Sequence, residues 1–170
     1  MSTFDIARAL NSAAQSSNPH WVLTAVLKRD GVGGKMASML ANLIPDGQIE
    51  HIDASISDET DDALARVAAF TTDRIVVVQV AGKDSPTAIS TSRSALQSIA
   101  LNDVPNFFAG SSGEGGEYRV ELDYGQALGS FGHIHLGHSK QSGQNFVALR
   151  DFVPSLLQDM QAPSSAGGDA

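Results

Sequence analysis

The 170-residue chain contains no cysteine. That excludes a disulfide scaffold, a thiolate nucleophile and any sulfur ligand for zinc or an iron–sulfur cluster, so a redox role would need a bound cofactor. Cations are scarce as well. Eleven Lys and Arg stand against 19 Asp and Glu, a formal net charge of -8, with no basic run. Such a chain repels a phosphate backbone, which argues against nucleic acid as a partner. Long apolar runs are missing too: none approaches the roughly 20 residues that span a bilayer, so no membrane partner is expected. The opening residues, Met1 to Asp5, have no basic region ahead of an apolar stretch and do not read as a secretory signal, which makes the cytoplasm the expected location.

What the chain does have is an ordinary globular composition, 42% hydrophobic and 18% charged, at a length that suits one compact domain. Apolar Phe4, Ile6, Ala7 and Leu10 among polar neighbours predict an amphipathic helix over 4–14, a helical extension (1–18) ahead of the main domain (19–161). The apolar run 21–27 predicts a strand buried on both faces. Glycine-rich 30–34 then leads into helical spacing over 35–44, closed by Pro45 and Gly47. Further strands are predicted at 49–52, 74–80, 106–109 and 133–136, and helices at 61–70, 87–99, 117–130 and 145–160; residues 162–170 are small and polar, and are expected to form a disordered tail. Five strands alternating with helices predict an α/β fold. It would be a flavodoxin-like, doubly wound five-stranded parallel sheet of order 2-1-3-4-5, with helices on both faces and run 21–27 at the switch point.

In such a sheet, ligands bind outside the carboxyl ends of the strands. Three segments would lie there. The first, 27–35, offers Lys28, Asp30, Gly31, Val32, Gly33, Gly34 and Lys35, whose amides and helix dipole could receive a phosphate; no Gly-Lys-Ser/Thr closes it, so it is not a P-loop. The second, 80–86, offers Ala81, Gly82 and Lys83. The third, 109–118, offers Ser111, Ser112, Gly113, Gly115 and Gly116, small residues that allow close backbone approach. His133 and His135 share one strand face, and His138 follows, a spacing that zinc or iron can use. Solvent or one hydrogen-bond partner also satisfies such histidines, and no carboxylate lies near them in sequence, so no metal is expected. The serines of the third segment lack a G-x-S-x-G elbow, which argues against a hydrolase.

Residues 25–37 align without a gap to a pattern of the form G-S-x-R-x-x-S-x-N followed by x-K-L-A, although Ala25, Val26, Gly31 and Gly33 replace glycine, serine, serine and asparagine, and Lys28 replaces the arginine. The third segment is similar to S-x-G-x-x-G-G, and 122–128 to the helix that follows it. On these motifs the chain, over about residues 20–160, resembles the NADPH-dependent FMN reductases, the sulfonate-type flavin reductases. The resemblance implies FMN as cofactor, NAD(P)H as hydride donor, a flavin or quinone as acceptor, a homodimer or tetramer, and no catalytic side chain to be named, since the flavin carries the chemistry. The replaced hydroxyls imply weak FMN binding. They also leave an alternative: a relative that has lost flavin and serves as a non-catalytic binding or assembly protein with a protein partner.

Overall fold

A computed structural model describes residues 3–18, 25–28, 31–44, 48–57, 63–102, 118–137 and 143–161. Its organising element is the β-branched run at 75–78. These residues belong to strand β3 (Arg74–Ala81), whose alternate side chains enter two different cores. Val76, Val78 and Val80 face helices; Ile75 and Val77 face a second sheet. β3 is the third strand of an antiparallel meander, β1 (His51–Ile56), β2 (Leu64–Phe70), β3 and β4 (Thr87–Ser92), paired in that order. A second antiparallel sheet holds β5 (Ser98–Asn102), β6 (Arg119–Asp123) and β7 (His133–Leu136).

On one face of the meander lie α1 (Thr3–Ser17) and α3 (Val32–Leu43), the latter preceded by the single turn α2 (Ala25–Lys28). Helical spacing puts Ile6, Leu10 and Ala14 of α1, and Val32, Met36 and Leu40 of α3, on their inner faces against the alanines and valines of β2 and β3. At the end of α1, the Ser17 hydroxyl accepts the Ala54 N–H (2.9 Å) and the Asn18 side chain donates to the Ala54 carbonyl (3.1 Å). On the other face, Phe70, Ile75 and Val77 meet β6, β7 and α4 (Gly143–Gln161) through Leu122, Tyr124, Ile134, Leu149 and Leu156. The fold therefore has three layers, with the four-stranded sheet in the middle.

The doubly wound parallel sheet of order 2-1-3-4-5 is thus overturned: every strand pair among the described residues is antiparallel. Two predicted helices are mainly strand, and a third is part strand and part 3-10. Segment 61–70 holds β2, whose alanines favour a helix in isolation but here fill a doubly covered central strand. Segment 87–99 holds β4, a 3-10 turn (Arg93–Ala95) and the start of β5; its Ser, Thr and Ile suit strand and cap positions better than a helix interior. Segment 117–130 holds β6 and a 3-10 stretch (Gly125–Phe131). Residues 25–27 of the predicted first strand are helical in α2. Residues 21–24, the predicted strand at 106–109 and the tail 162–170 lie outside the described residues. The elements expected at 4–14, 35–44, 74–80, 133–136 and 145–160 correspond to α1, α3, β3, β7 and α4.

Candidate functional site

The segments expected to hold a flavin take other roles. The first is a helix connection. Gly31 adopts a left-handed conformation (φ 69°) at the N-cap of α3, Val32 turns its side chain into the core, and a Cβ at Gly33 would touch the Leu27 carbonyl at 3.5 Å. Lys28, Gly34 and Lys35 are exposed, and Asp30 lies outside the described residues. The second is the β3–β4 hairpin: Ala81 pairs with Leu64, Gly82 (φ 47°) donates its N–H to the Ala63 carbonyl, and Lys83 is exposed in the turn. The third, with Ser111, Ser112, Gly113, Gly115 and Gly116, lies outside the described residues, as does His138.

Sequence reading did not single out the polar groups on the α4 side of the sheet. Arg93, 2% exposed, is held by five contacts. Its Nη1 donates to Glu50 Oε2 and to the Thr71 carbonyl (2.7 Å), its Nε to Asp159 Oδ2 (2.8 Å) and its Nη2 to Ser155 Oγ (2.6 Å). Its guanidinium also lies 5.2 Å from the centre of the Phe152 ring. Burial alone would lower the Arg93 pKa, but hydrogen bonds and charge from Glu50 and Asp159 raise it above its ordinary value, so the group is a fixed cation. Nearby, the Tyr124 hydroxyl is buried without a hydrogen-bond partner among the described residues, and burial, with the Asp159 charge, pushes its pKa up.

A second polar group sits on β1. His51 and Asp53 alternate onto one face of the strand and are buried with their Nε2 and Oδ2 atoms 4.0 Å apart. Asp53 Oδ2 accepts from the Gly137 N–H (3.0 Å) and Asn145 Nδ2 (3.4 Å), while His51 stacks on Phe152 at 4.7 Å between centroids. Burial pushes the Asp53 pKa up to about 7 against those two hydrogen bonds, and lowers that of His51 to about 4. Between about pH 4 and 7 the two groups therefore sit in the fold as a neutral carboxylic acid and a neutral imidazole. Among the described residues, His51 Nε2 and Asp53 Oδ1 have no hydrogen-bond partner. Both residues are enclosed (5% and 3% exposed), and together with Arg93 they fasten β1 and the Thr71 turn to α4. Arg66 adds a third link, donating to Gln79 Oε1 within the meander and to the His133 carbonyl of the second sheet (2.6 Å).

His133 and His135 are exposed on β7, and the ladder sets them opposite Asp123 and Glu121. Carboxylates remote in sequence are thus neighbours in space, with His133 Nδ1 3.9 Å from Asp123 Oδ1. Among the described residues, no group of three His, Asp or Glu side chains is placed to hold a metal ion.

An open groove lies on the opposite layer. The outer faces of α1 and α3 border a groove of about 610 Å³, with Phe4, Ala7 and Arg8 on one side and Gly34, Lys35 and Ser38 on the other. Phe4 is 66% exposed, and the Arg8 guanidinium lies 4.8 Å from its ring centre. Residues 1–44 carry four cations (Arg8, Lys28, Arg29, Lys35) against two anions (Asp5, Asp30), a local positive excess in a chain of net charge -8. No helix among the described residues is long and apolar enough to cross a membrane. In comparison with known proteins, no family model matches this chain and no characterised protein matches it in sequence.

Proposed function

We propose that the chain is a non-catalytic binding module that docks a partner protein on the outer face of α1 and α3. The observation that carries this reading is the α1–α3 groove, an open, largely apolar channel whose rim includes the exposed ring of Phe4. The enclosed polar groups fit the same reading, because they are spent on joining layers: Arg93 has four of its five N–H donors engaged, and Asp53 ties β1 to α4. Flavin reduction with FMN and NAD(P)H has less support. It depended on a parallel-sheet switch point, whereas the sheets here are antiparallel and the first two candidate flavin-binding segments serve as a helix cap and a hairpin turn.

The test is site-specific photocrosslinking in the cells that make the protein. A benzophenone amino acid placed at Phe4 or at Ser38 should trap the same partner, identified by peptide sequencing, while the same group at exposed Gln126 should not. Identical adducts from all three sites, or none from Phe4 and Ser38, would remove the docking reading. Saturable quenching of FMN fluorescence by the purified protein at micromolar concentration would restore the flavin one.

A further inference from the structure

Resting on the docking reading, we infer that the occupant of the α1–α3 groove is an amphipathic, acidic helix of another protein, its large apolar side chains on the groove floor and its carboxylates against Arg8 and Lys35. The shape comes first. The groove follows residues at helical spacing on both walls, from Phe4 through Arg8 to Asn11 and from Gly31 through Lys35 to Ser38. Seven residues of helix are about 10 Å long, which matches two turns of a partner helix laid along the channel. The floor is built from small groups: Ala7 is half-buried and Gly34 has no side chain, so the occupant must bring the bulk. Leucine, methionine or phenylalanine at i, i+3 and i+7 would meet it.

Charge then selects among such helices. Arg8 has the Phe4 ring as its contact, and Lys35 is exposed, with no carboxylate in ion-pair distance of either among the described residues. Their apolar stems extend the walls while their charged heads stand at the rim. Carboxylates flanking the apolar stripe of a partner would find these heads, whereas the net charge of -8 on the whole chain disfavours an acidic partner away from them. Two cations over an apolar floor do not make a nucleic-acid surface, which needs several phosphate contacts.

The probe is a synthetic fluorescein-labelled helical peptide with leucines at i, i+3 and i+7 and glutamates between them, beside a twin with lysines for the glutamates. The glutamate peptide should bind the wild-type protein and move amide resonances of α1 and α3 only. Arg8→Glu combined with Lys35→Glu should weaken it at least about tenfold and favour the lysine twin. Gly34→Leu provides a control that does not rely on charge: a Cβ at Gly34 meets nothing within 4 Å, so the variant should fold with an unchanged or higher melting temperature yet lose the peptide. Equal binding of both peptides at α1 and α3 would overturn the acidic occupant and leave the docking reading standing. Absence of any α1–α3 response to either peptide would overturn both. Shifts in α1 and α3 that grow with protein concentration alone would replace the partner helix with a second copy of this chain.

Discussion

The two faces of the four-stranded sheet are covered by different physics. Toward α1 and α3, apart from the two hydrogen bonds between the end of α1 and Ala54, small aliphatic side chains of β2 and β3 meet aliphatic side chains of the helices, a seam that depends on shape and dry area. Toward α4, rings and charges intervene: His51, Asp53, Arg93 and Phe152 make contacts whose partners come from β1, the Thr71 turn, the 3-10 turn and α4. A dry seam tolerates small shifts of a helix, while a web of directional bonds fixes one register. The exposed groove lies on the dry side, where Arg8 contacts the Phe4 ring and Lys35 is exposed.

The largest expected effect breaks the bonded face. Arg93→Met leaves Glu50 and Asp159 without their cation and two further acceptors without a donor, and should cost about 3–5 kcal/mol, read from urea unfolding. Arg93→Lys should recover little, because an ammonium cannot reproduce the planar fork. On the dry face, Leu40→Ala should cost about 2–5 kcal/mol through cavity formation alone, with no change in the pH dependence of stability. If the two losses carried the same pH signature, the distinction between the faces would fail.

A sharper comparison uses protons. Asp53, with a folded pKa of about 7 against an ordinary 3.8, favours the fold at low pH and loses that contribution as pH rises from about 4 to 7. His51, at about 4 against 6.5, favours the fold at high pH and loses its contribution as pH falls from 6.5 to 4. Between about 4 and 6.5 the unfolded pair holds one proton, on His51, and the folded pair also holds one, on Asp53. Folding moves the proton without taking one up, so this pair adds no slope there. Asp53→Asn should remove the compensation and make stability fall as pH drops through this window, by up to about 1.4 kcal/mol per pH unit. A variant with the same slope as wild type would mean that the pair is not buried as a neutral couple. The smallest effect lies on the groove: Gly34→Ala should raise stability by about 0.5–1 kcal/mol, measured by thermal unfolding, since it replaces a helical glycine in open space.

Elements whose pattern reports its own environment were legible in the sequence. The valine run of β3 and the helical spacing of α1 and α3 announce themselves. The alternation Tyr118, Val120, Leu122, Tyr124, all buried, was equally available for β6 but was absorbed into a helix that began at the acidic end of a glycine-rich segment. For β2, alanine hid the strand, because its small side chain satisfies a helix or a crowded sheet alike. The Arg93 web could not be read, since its partners lie 43 and 66 residues away and only the fold brings them in. The His51–Asp53 pair was half visible as an i, i+2 spacing, lost because the strand was expected to stop at residue 52. At the groove, sequence reading marked Gly31, Gly34 and Lys35, although for a phosphate, because glycine records that something comes close without recording what.

The two hydrogen bonds from the end of α1 to Ala54 matter beyond local order. β1 is an outer strand of the meander, and Ala54 presents an N–H and a carbonyl away from β2, a vacancy on which another extended chain could start to pair. Ser17 and Asn18 occupy it. The helix that bears Phe4 and Arg8 at one end thus carries, at the other, the guard against sheet extension between molecules, so Ser17→Ala combined with Asn18→Ala should leave the groove intact while making the protein prone to form β-rich aggregates.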